Sequence, residues 1–194
     1  MKRLFNALLL CLAASGVLAQ APSAVSIDAP QTKPKGKMKL AVHSASFTTE
    51  SILNPRYTGY GDNLSPALSW SPVPGARSYA IIVEDPDARA ASPRVHWLMW
   101  NIPAQVTSLP EGVPRQARLR NPPGALQGKN SRGSIGYAGP QPPVGSPPHH
   151  YHFQVFALNA LLILPGGSDR EQLLDAMKGH VLAKGYLIGQ FAQR

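Results

Sequence analysis

The amino-acid sequence predicts a mainly β fold, an antiparallel sandwich or barrel with one helix near the C-terminus. Three observations carry this. Short apolar runs over 79–85, 95–101 and 150–158 are each bounded by Pro, Gly or Asn, the spacing of strands in an all-β domain. The chain holds 20 prolines and 17 glycines, roughly a fifth of its residues against roughly 12% in average usage, so turns are abundant. Only Ser168-Asp169-Arg170-Glu171, followed by Leu173, Leu174, Met177, Val181 and Leu182 at helical intervals, reads as a helix with a capping box. Gly179 interrupts that pattern and is expected to weaken or split the helix.

The order of segments comes next. Lys2 and Arg3 precede an apolar stretch over 4–12, and Val17-Leu18-Ala19 gives a small-residue ending, the build of a secretory signal peptide over 1–19. That stretch is too short to cross a bilayer and nothing later is apolar enough, so no transmembrane segment is expected and a periplasmic or secreted location is. Cys11 is the one cysteine and leaves with the signal, so neither disulfides nor thiolate chemistry are available to the exported form. Residues 20–39 carry four lysines and one aspartate without hydrophobic periodicity and read as a disordered Pro/Lys-rich linker. A single domain over 40–194 remains, long enough to bury a sizeable core.

The formal charge of +9 lies partly in the signal and linker. The domain has no basic helix and no interleaving of aromatic and basic residues, so no nucleic-acid partner is expected. Against this basic background, Glu84, Asp85 and Asp87 cluster at the end of the first long strand. Strand alternation puts Tyr79, Ile81, Val83 and Asp85 on one face and Ala80, Ile82 and Glu84 on the other. The next strand starts at His96, whose face continues through Leu98 and Trp100. A third starts at His149 and continues through Tyr151, Phe153, Val155 and Ala157, with His150, His152 and Gln154 pointing away. If the three share a sheet, Asp85, Asp87, His96, His149 and Tyr151 meet at one rim over an apolar floor, as small-ligand sites are built. The Pro- and Gly-rich run 133–145 walls that rim, its glycines letting backbone N–H groups approach an anion.

Blander readings stand beside these. Asp-Pro-Asp is also a turn that caps its own backbone, and His150 and His152 read as exposed or packed histidines rather than ligands. His43 and His180 read as structural.

At these residues the chain resembles the phosphatidylethanolamine-binding protein family, in particular its bacterial Raf kinase inhibitor-like branch. The resemblance covers 40–194. It rests on Asn63-Leu64-Ser65-Pro66 with Leu68-Ser69-Trp70, on Asp85-Pro86-Asp87-Ala88, and on His96-Trp97 leading to Asn101-Ile102-Pro103. It continues in the run from Gly136 to Pro143 and in His149-His150-Tyr151-His152-Phe153. It implies an antiparallel β-sandwich with peripheral helices and a small anion-binding pocket lined by Asp85, Asp87, His96, Gly139, Pro143, His149 and Tyr151. Relatives are phospholipid-headgroup binders, kinase or protease inhibitors and signalling regulators, so the resemblance implies a pocket rather than a pathway. Arg89 stands where the family usually has proline, Val95 where an aromatic is common, and Gln141 where many relatives have cysteine.

The expected function is binding of a small anionic or zwitterionic ligand such as phosphate or phosphoethanolamine. His96, His149, Tyr151 and wall N–H groups would donate to the phosphate, while the aspartates hold the imidazoles. No cofactor and no metal are expected. A protein partner engaged by the rim and a homodimer stay open. The alternative is a hydrolase using the same His and Asp side chains on a phosphorylated or sugar substrate. Against it, the sequence has no Gly-x-Ser-x-Gly elbow, no thiol nucleophile and no spaced metal cluster.

Overall fold

The structure, a computed structural model, describes residues 25–88 and 90–194. The expected signal peptide, the start of the expected linker and Arg89 lie outside the described residues. Nine strands are present there: β1 (Val42–His43), β2 (Ser51–Ile52), β3 (Leu68–Trp70), β4 (Ser78–Asp85), β5 (Arg94–Pro103), β6 (Ser108–Leu109), β7 (Leu126–Gln127), β8 (His149–Leu158) and β9 (Val181–Phe191). A six-stranded sheet has the order β2-β9-β8-β4-β5-β7, and a three-stranded one the order β1-β3-β6. All pairs are antiparallel except β2 with β9.

The fold is the mainly β sandwich the sequence predicts. Leu68 and Trp70 of the small sheet pack with Tyr79, Ile81 and Val83 of β4, and with Phe153, Val155 and Ala157 of β8, in the core between the sheets. A second core lies on the outer face of the large sheet, where Ala80, Ile82, Leu98, Trp100 and Phe156 meet Leu173, Leu174 and Met177 of the helix α1 (Arg170–Met177). Every residue of β4 is buried. A central strand covered on both faces reads as a continuous apolar run, and that is why it was legible.

The helix differs from expectation at both ends. Its N-cap is Asp169, not Ser168, and the capping box closes between Asp169 and Gln172. Gly179 adopts φ 75° just past the last turn, the left-handed conformation that ends helices. Val181 and Leu182, expected on the helix, therefore begin β9.

The expected disordered linker is corrected over residues 25–32. Ser26, Ile27, Ala29 and Thr32 are buried, and short 3-10 turns at Ser26–Asp28 and Pro30–Thr32 press against the second core. The anchor is Glu84, fully buried on the outer face. Its Oε1 accepts from Arg170 Nε at 2.5 Å and Ser26 Oγ at 2.8 Å, and its Oε2 from the Ser26 backbone N–H at 2.7 Å and Gln154 Nε2 at 2.8 Å. Gln154 Oε1 in turn accepts from the Ile27 N–H at 2.5 Å. A buried carboxylate is tolerated only when its lone pairs are taken up, and this segment supplies half of the donors. Composition alone missed it because the two buried apolar residues, Ile27 and Ala29, form no periodic pattern and the other anchors are polar. Among the described residues, no helix is long and apolar enough to cross a membrane.

Removing one partner of a buried ion pair costs about 3–5 kcal/mol, whereas losing one neutral hydroxyl hydrogen bond costs about 1 kcal/mol. Glu84→Ala is expected to lower the urea-unfolding free energy by the first amount and Ser26→Ala, which keeps the backbone N–H bond, by the second. Equal losses would show that the network does not centre on Glu84.

Candidate functional site

Strands β8, β4 and β5 are neighbours, and the end of β4 lies beside the starts of the other two: Glu84 pairs with His152 and Asp85 with Arg94. The side chains at these ends line a cavity of about 860 Å³. Asp85, Asp87, His96, Pro143, His149 and Tyr151 all border it, so the structure brings together six of the seven expected site residues.

Asp85 is nearly fully buried and both its oxygens are engaged. Oδ1 accepts the backbone N–H groups of Asp87 at 2.9 Å and Ala88 at 3.1 Å, while Oδ2 accepts from His149 Nδ1 at 2.8 Å. The turn-capping and site readings of Asp-Pro-Asp are thus both present in one carboxylate. With Nδ1 held by Asp85, His149 is fixed in orientation with Nε2 as its second polar atom.

Asp87 forms a second, more exposed pair: its Oδ2 accepts the His150 N–H and contacts His150 Nδ1, each at 2.7 Å. Burial pushes the Asp87 carboxyl up, but the hydrogen bonds and charge of His150 outweigh that and leave it below its usual value. The expectation that His150 faces away from the pocket is therefore corrected. At a strand's first residues the alternation is not yet enforced by pairing on both sides, and Asp87 draws the imidazole to the rim. His152 is packed as expected, its ring 6.1 Å from that of Tyr186, and burial lowers its pKa.

His96 reaches the cavity by a different route from the one alternation suggests. Val83 pairs with Trp97 and Glu84 with Val95, leaving His96 as the extra residue of a β-bulge. Leu98 and Trp100, its expected face-mates, go to the outer core, whereas the bulge turns His96 toward Tyr151, ring centroids 5.1 Å apart and edge-on. Bulges commonly re-aim side chains beside functional sites.

The role expected of His96 also changes. Its Nδ1 lies 2.6 Å from the Ala138 carbonyl. A carbonyl only accepts, so Nδ1 carries the proton and Nε2 of the neutral ring is an acceptor, not a donor. Burial pushes the ring's pKa down to about 4, against the opposing pull of the Ala138 bond and Asp85. Burial likewise pushes the Tyr151 phenol well above its usual value, with Asp85 adding to the effect. It therefore stays a neutral hydroxyl. Among the described residues, neither His96 Nε2 nor Tyr151 Oη has a hydrogen-bond partner although both are buried.

Gly139 is the expected site residue that does not border the cavity. Its N–H donates to Asn63 Oδ1 at 2.7 Å, and an added Cβ would lie 2.6 Å from the Tyr57 carbonyl. It is glycine because two backbones cross there. The N–H groups of Gly136 and Gly145 are also taken, by Gly128 and Gln193, so the expectation that these three glycines present N–H donors to an anion is corrected. The wall is instead braced from behind, with Tyr60 Oη donating to the Pro142 carbonyl at 2.6 Å and Tyr137 Oη to that of Tyr57 at 2.7 Å.

Sequence reasoning missed Arg94 and Arg132, which also line the cavity. Arg132 donates to Gln141 Oε1 at 2.6 Å. Arg132 lies just ahead of the run taken as the wall, within Asn130-Ser131-Arg132-Gly133, a turn-forming stretch that could have extended it. Val95 faces the outer core rather than the pocket lip. Among the described residues, no group of three or more His, Cys, Asp or Glu side chains is placed to hold a metal ion.

The arrangement offers an acceptor at His96, a hydroxyl at Tyr151, an Asp-fixed imidazole at His149 and two guanidinium groups. One consequence concerns pH. The unfolded chain takes up a proton on residue 96 near its ordinary pKa of 6.5, whereas the folded one resists until about 4. This contribution to stability is complete above the upper value and lost as pH falls through the lower, on the order of 3 kcal/mol in all. The expected observation is an NMR midpoint for His96 near 4 and an unfolding free energy that declines across that window. A midpoint near 6.5 would contradict the burial argument.

A family model described as phosphatidylethanolamine-binding protein matches residues 43–192. A UPF0098 protein of Methanothermobacter thermautotrophicus is 44% identical over 155 residues, covering 79% of this chain and 98% of the relative. The crystal structure of Escherichia coli YbcL, titled a new member of the mammalian PEBP family, superposes with a TM-score of 0.76 at 34% identity, over 81% of this chain and 100% of that one. That of CT736 from Chlamydia trachomatis, titled a putative homolog of the same family, gives 0.71 at 34% identity over 80% and 99%. The docked segment at 25–32 precedes the span matched by the family model. With most of the domain matched in sequence and in fold, the chain belongs to the phosphatidylethanolamine-binding protein family.

Proposed function

We propose that the protein is an exported binder of a small phosphate-bearing anion or zwitterion, held in the cavity at the end of β4. One observation carries this: His96 and Tyr151 both line the cavity, and His96 Nε2 and Tyr151 Oη are buried without a partner among the described residues. Buried polar groups are nearly always hydrogen-bonded, so a pair of them facing one cavity marks where a polar ligand completes the fold's hydrogen bonding. Arg94 and Arg132 attract negative charge, and Tyr151 donates. Asp87, at the rim, accepts from an ammonium group on a ligand such as phosphoethanolamine.

The export half of the proposal rests on the basic, apolar and small-residue pattern of the first 19 residues. A regulatory role, with the rim engaging a protein partner or a second copy of the chain, is a further reading of the same surface. The hydrolase reading draws on the Asp85–His149 pair at 2.8 Å, the geometry of a histidine held as a general base.

Calorimetric titration with phosphate, phosphoethanolamine and acetate tests the binding. The expected dissociation constants for the phosphorus ligands lie between about 1 μM and 1 mM. His149→Ala is expected to weaken binding by about tenfold or more. Identical heats for the wild type and His149→Ala would remove the cavity from the proposal. Release of ethanolamine or phosphate from phosphoethanolamine, lost in His149→Ala, would replace binding with hydrolysis.

A further inference from the structure

The cavity lining holds an unusual group for an anion site. The Nδ1 proton of His96, a residue of the cavity lining, is committed to the Ala138 carbonyl at 2.6 Å, so the ring's other nitrogen, Nε2, carries a lone pair. That atom is buried and unpartnered among the described residues. Other groups act on the ring: Asp85 from the end of β4, Arg94 from the start of β5, Arg132 from the loop after β7 and Tyr151 from β8, with His149 of β8 also in the lining. Asp85 offers no donor, since its oxygens accept from His149 and from the turn. A fully deprotonated oxyanion would set its own lone pairs against that of His96.

We propose that the cavity selects a tetrahedral phosphorus oxyanion that still carries one proton, a phosphomonoester or phosphonate monoanion. Its P–OH donates to His96 Nε2 while another oxygen accepts from Tyr151 Oη. This rests on the phosphate-binding reading and sharpens it into a rule about the ligand's hydrogen. The ring's pKa of about 4 agrees with an imidazole that accepts rather than donates at ordinary pH. A phosphodiester, the form in which an intact phospholipid presents its headgroup, has no P–OH and leaves His96 unpaired. So does a sulfonate. His96 is on this account the residue that determines specificity, and Arg94 and Arg132 contribute charge attraction that does not discriminate.

Two ligand pairs test the rule on the unmodified full domain. Methylphosphonate and methanesulfonate each carry one negative charge at about pH 6, and only the first has a hydroxyl. Changes of charge on the rim imidazoles act on both alike. Phosphoethanolamine and glycerophosphoethanolamine share an ammonium group and differ as monoester and diester, which separates a free phosphate monoester from a lipid headgroup as the source. In each pair the first is expected to bind about tenfold or more tightly, and His96→Ala should bring both ratios close to one. Should that variant fail to fold, the 15N shift of His96 Nε2 in the wild type reads the same point, moving with methylphosphonate and staying with methanesulfonate. Equal affinities within either pair, or ratios that survive His96→Ala, overturn the rule while leaving phosphate binding intact. Absence of binding by all four ligands overturns the phosphate-binding reading and the rule together.

Discussion

Two adjacent carboxylates at the end of one buried strand set the terms for the rest of the molecule. Glu84 and Asp85 point to opposite faces of the six-stranded sheet, and both are nearly inaccessible to solvent. An ionised carboxylate out of water is costly unless several donors converge on it. Each face has therefore been organised around supplying them. On the outer face they come from Arg170 of the helix, Gln154 of β8 and Ser26 of the N-terminal segment. On the other they come from the turn that follows β4 and from His149.

This shared requirement links the fold to the site. The donors to Glu84 include a residue of β8, and so do those to Asp85, so both ends of the carboxylate pair fix the register of β8 against β4. A slip of one residue would move Gln154 and Tyr151 to the opposite faces and take their partners from Glu84 and His96. The imidazoles at the cavity rim are thus placed by the same register that seats Gln154 under Glu84. The N-terminal segment, though it lies outside the span matched by the family model, closes the outer face at the point where the strand turns into the site.

Much of this was legible in the residues. The three long strands, the face assignments of β4 and of β8 beyond its first residues, and the convergence of Asp85, His149 and Tyr151 follow from alternation and from the Pro and Gly punctuation between runs. What escaped was whatever broke periodicity or depended on a distant partner. The bulge at His96 is invisible in a single strand because it exists only relative to β4. The helix appeared too long because Val181 continues the spacing of Leu173, Leu174 and Met177 by coincidence, while the positive φ of Gly179 is a property of the backbone rather than of the pattern. The segment at 25–32 looked like a tether because its polar anchors, one serine and two backbone N–H groups, and its buried apolar residues Ile27 and Ala29 form no periodic stripe. The direction of His96, as acceptor, required knowing which carbonyl sat behind it.

The proposed selectivity of the cavity for an anion depends on that direction. Arginines at a rim raise the local concentration of any anion and are largely indifferent to its chemistry. A cationic imidazole at the cavity wall would behave in the same way. A neutral one, its other nitrogen fixed by the Ala138 carbonyl, asks instead for a hydrogen on the ligand and penalises every anion without one by leaving a buried lone pair unmatched. The bulge in β5 turns the ring to face the cavity, the carbonyl selects the tautomer and burial keeps the ring uncharged. Two features of the backbone and the burial of the ring thereby converge on one nitrogen, and under the proposed rule the chemistry of that atom, more than the net charge of the domain, decides which anions the cavity admits.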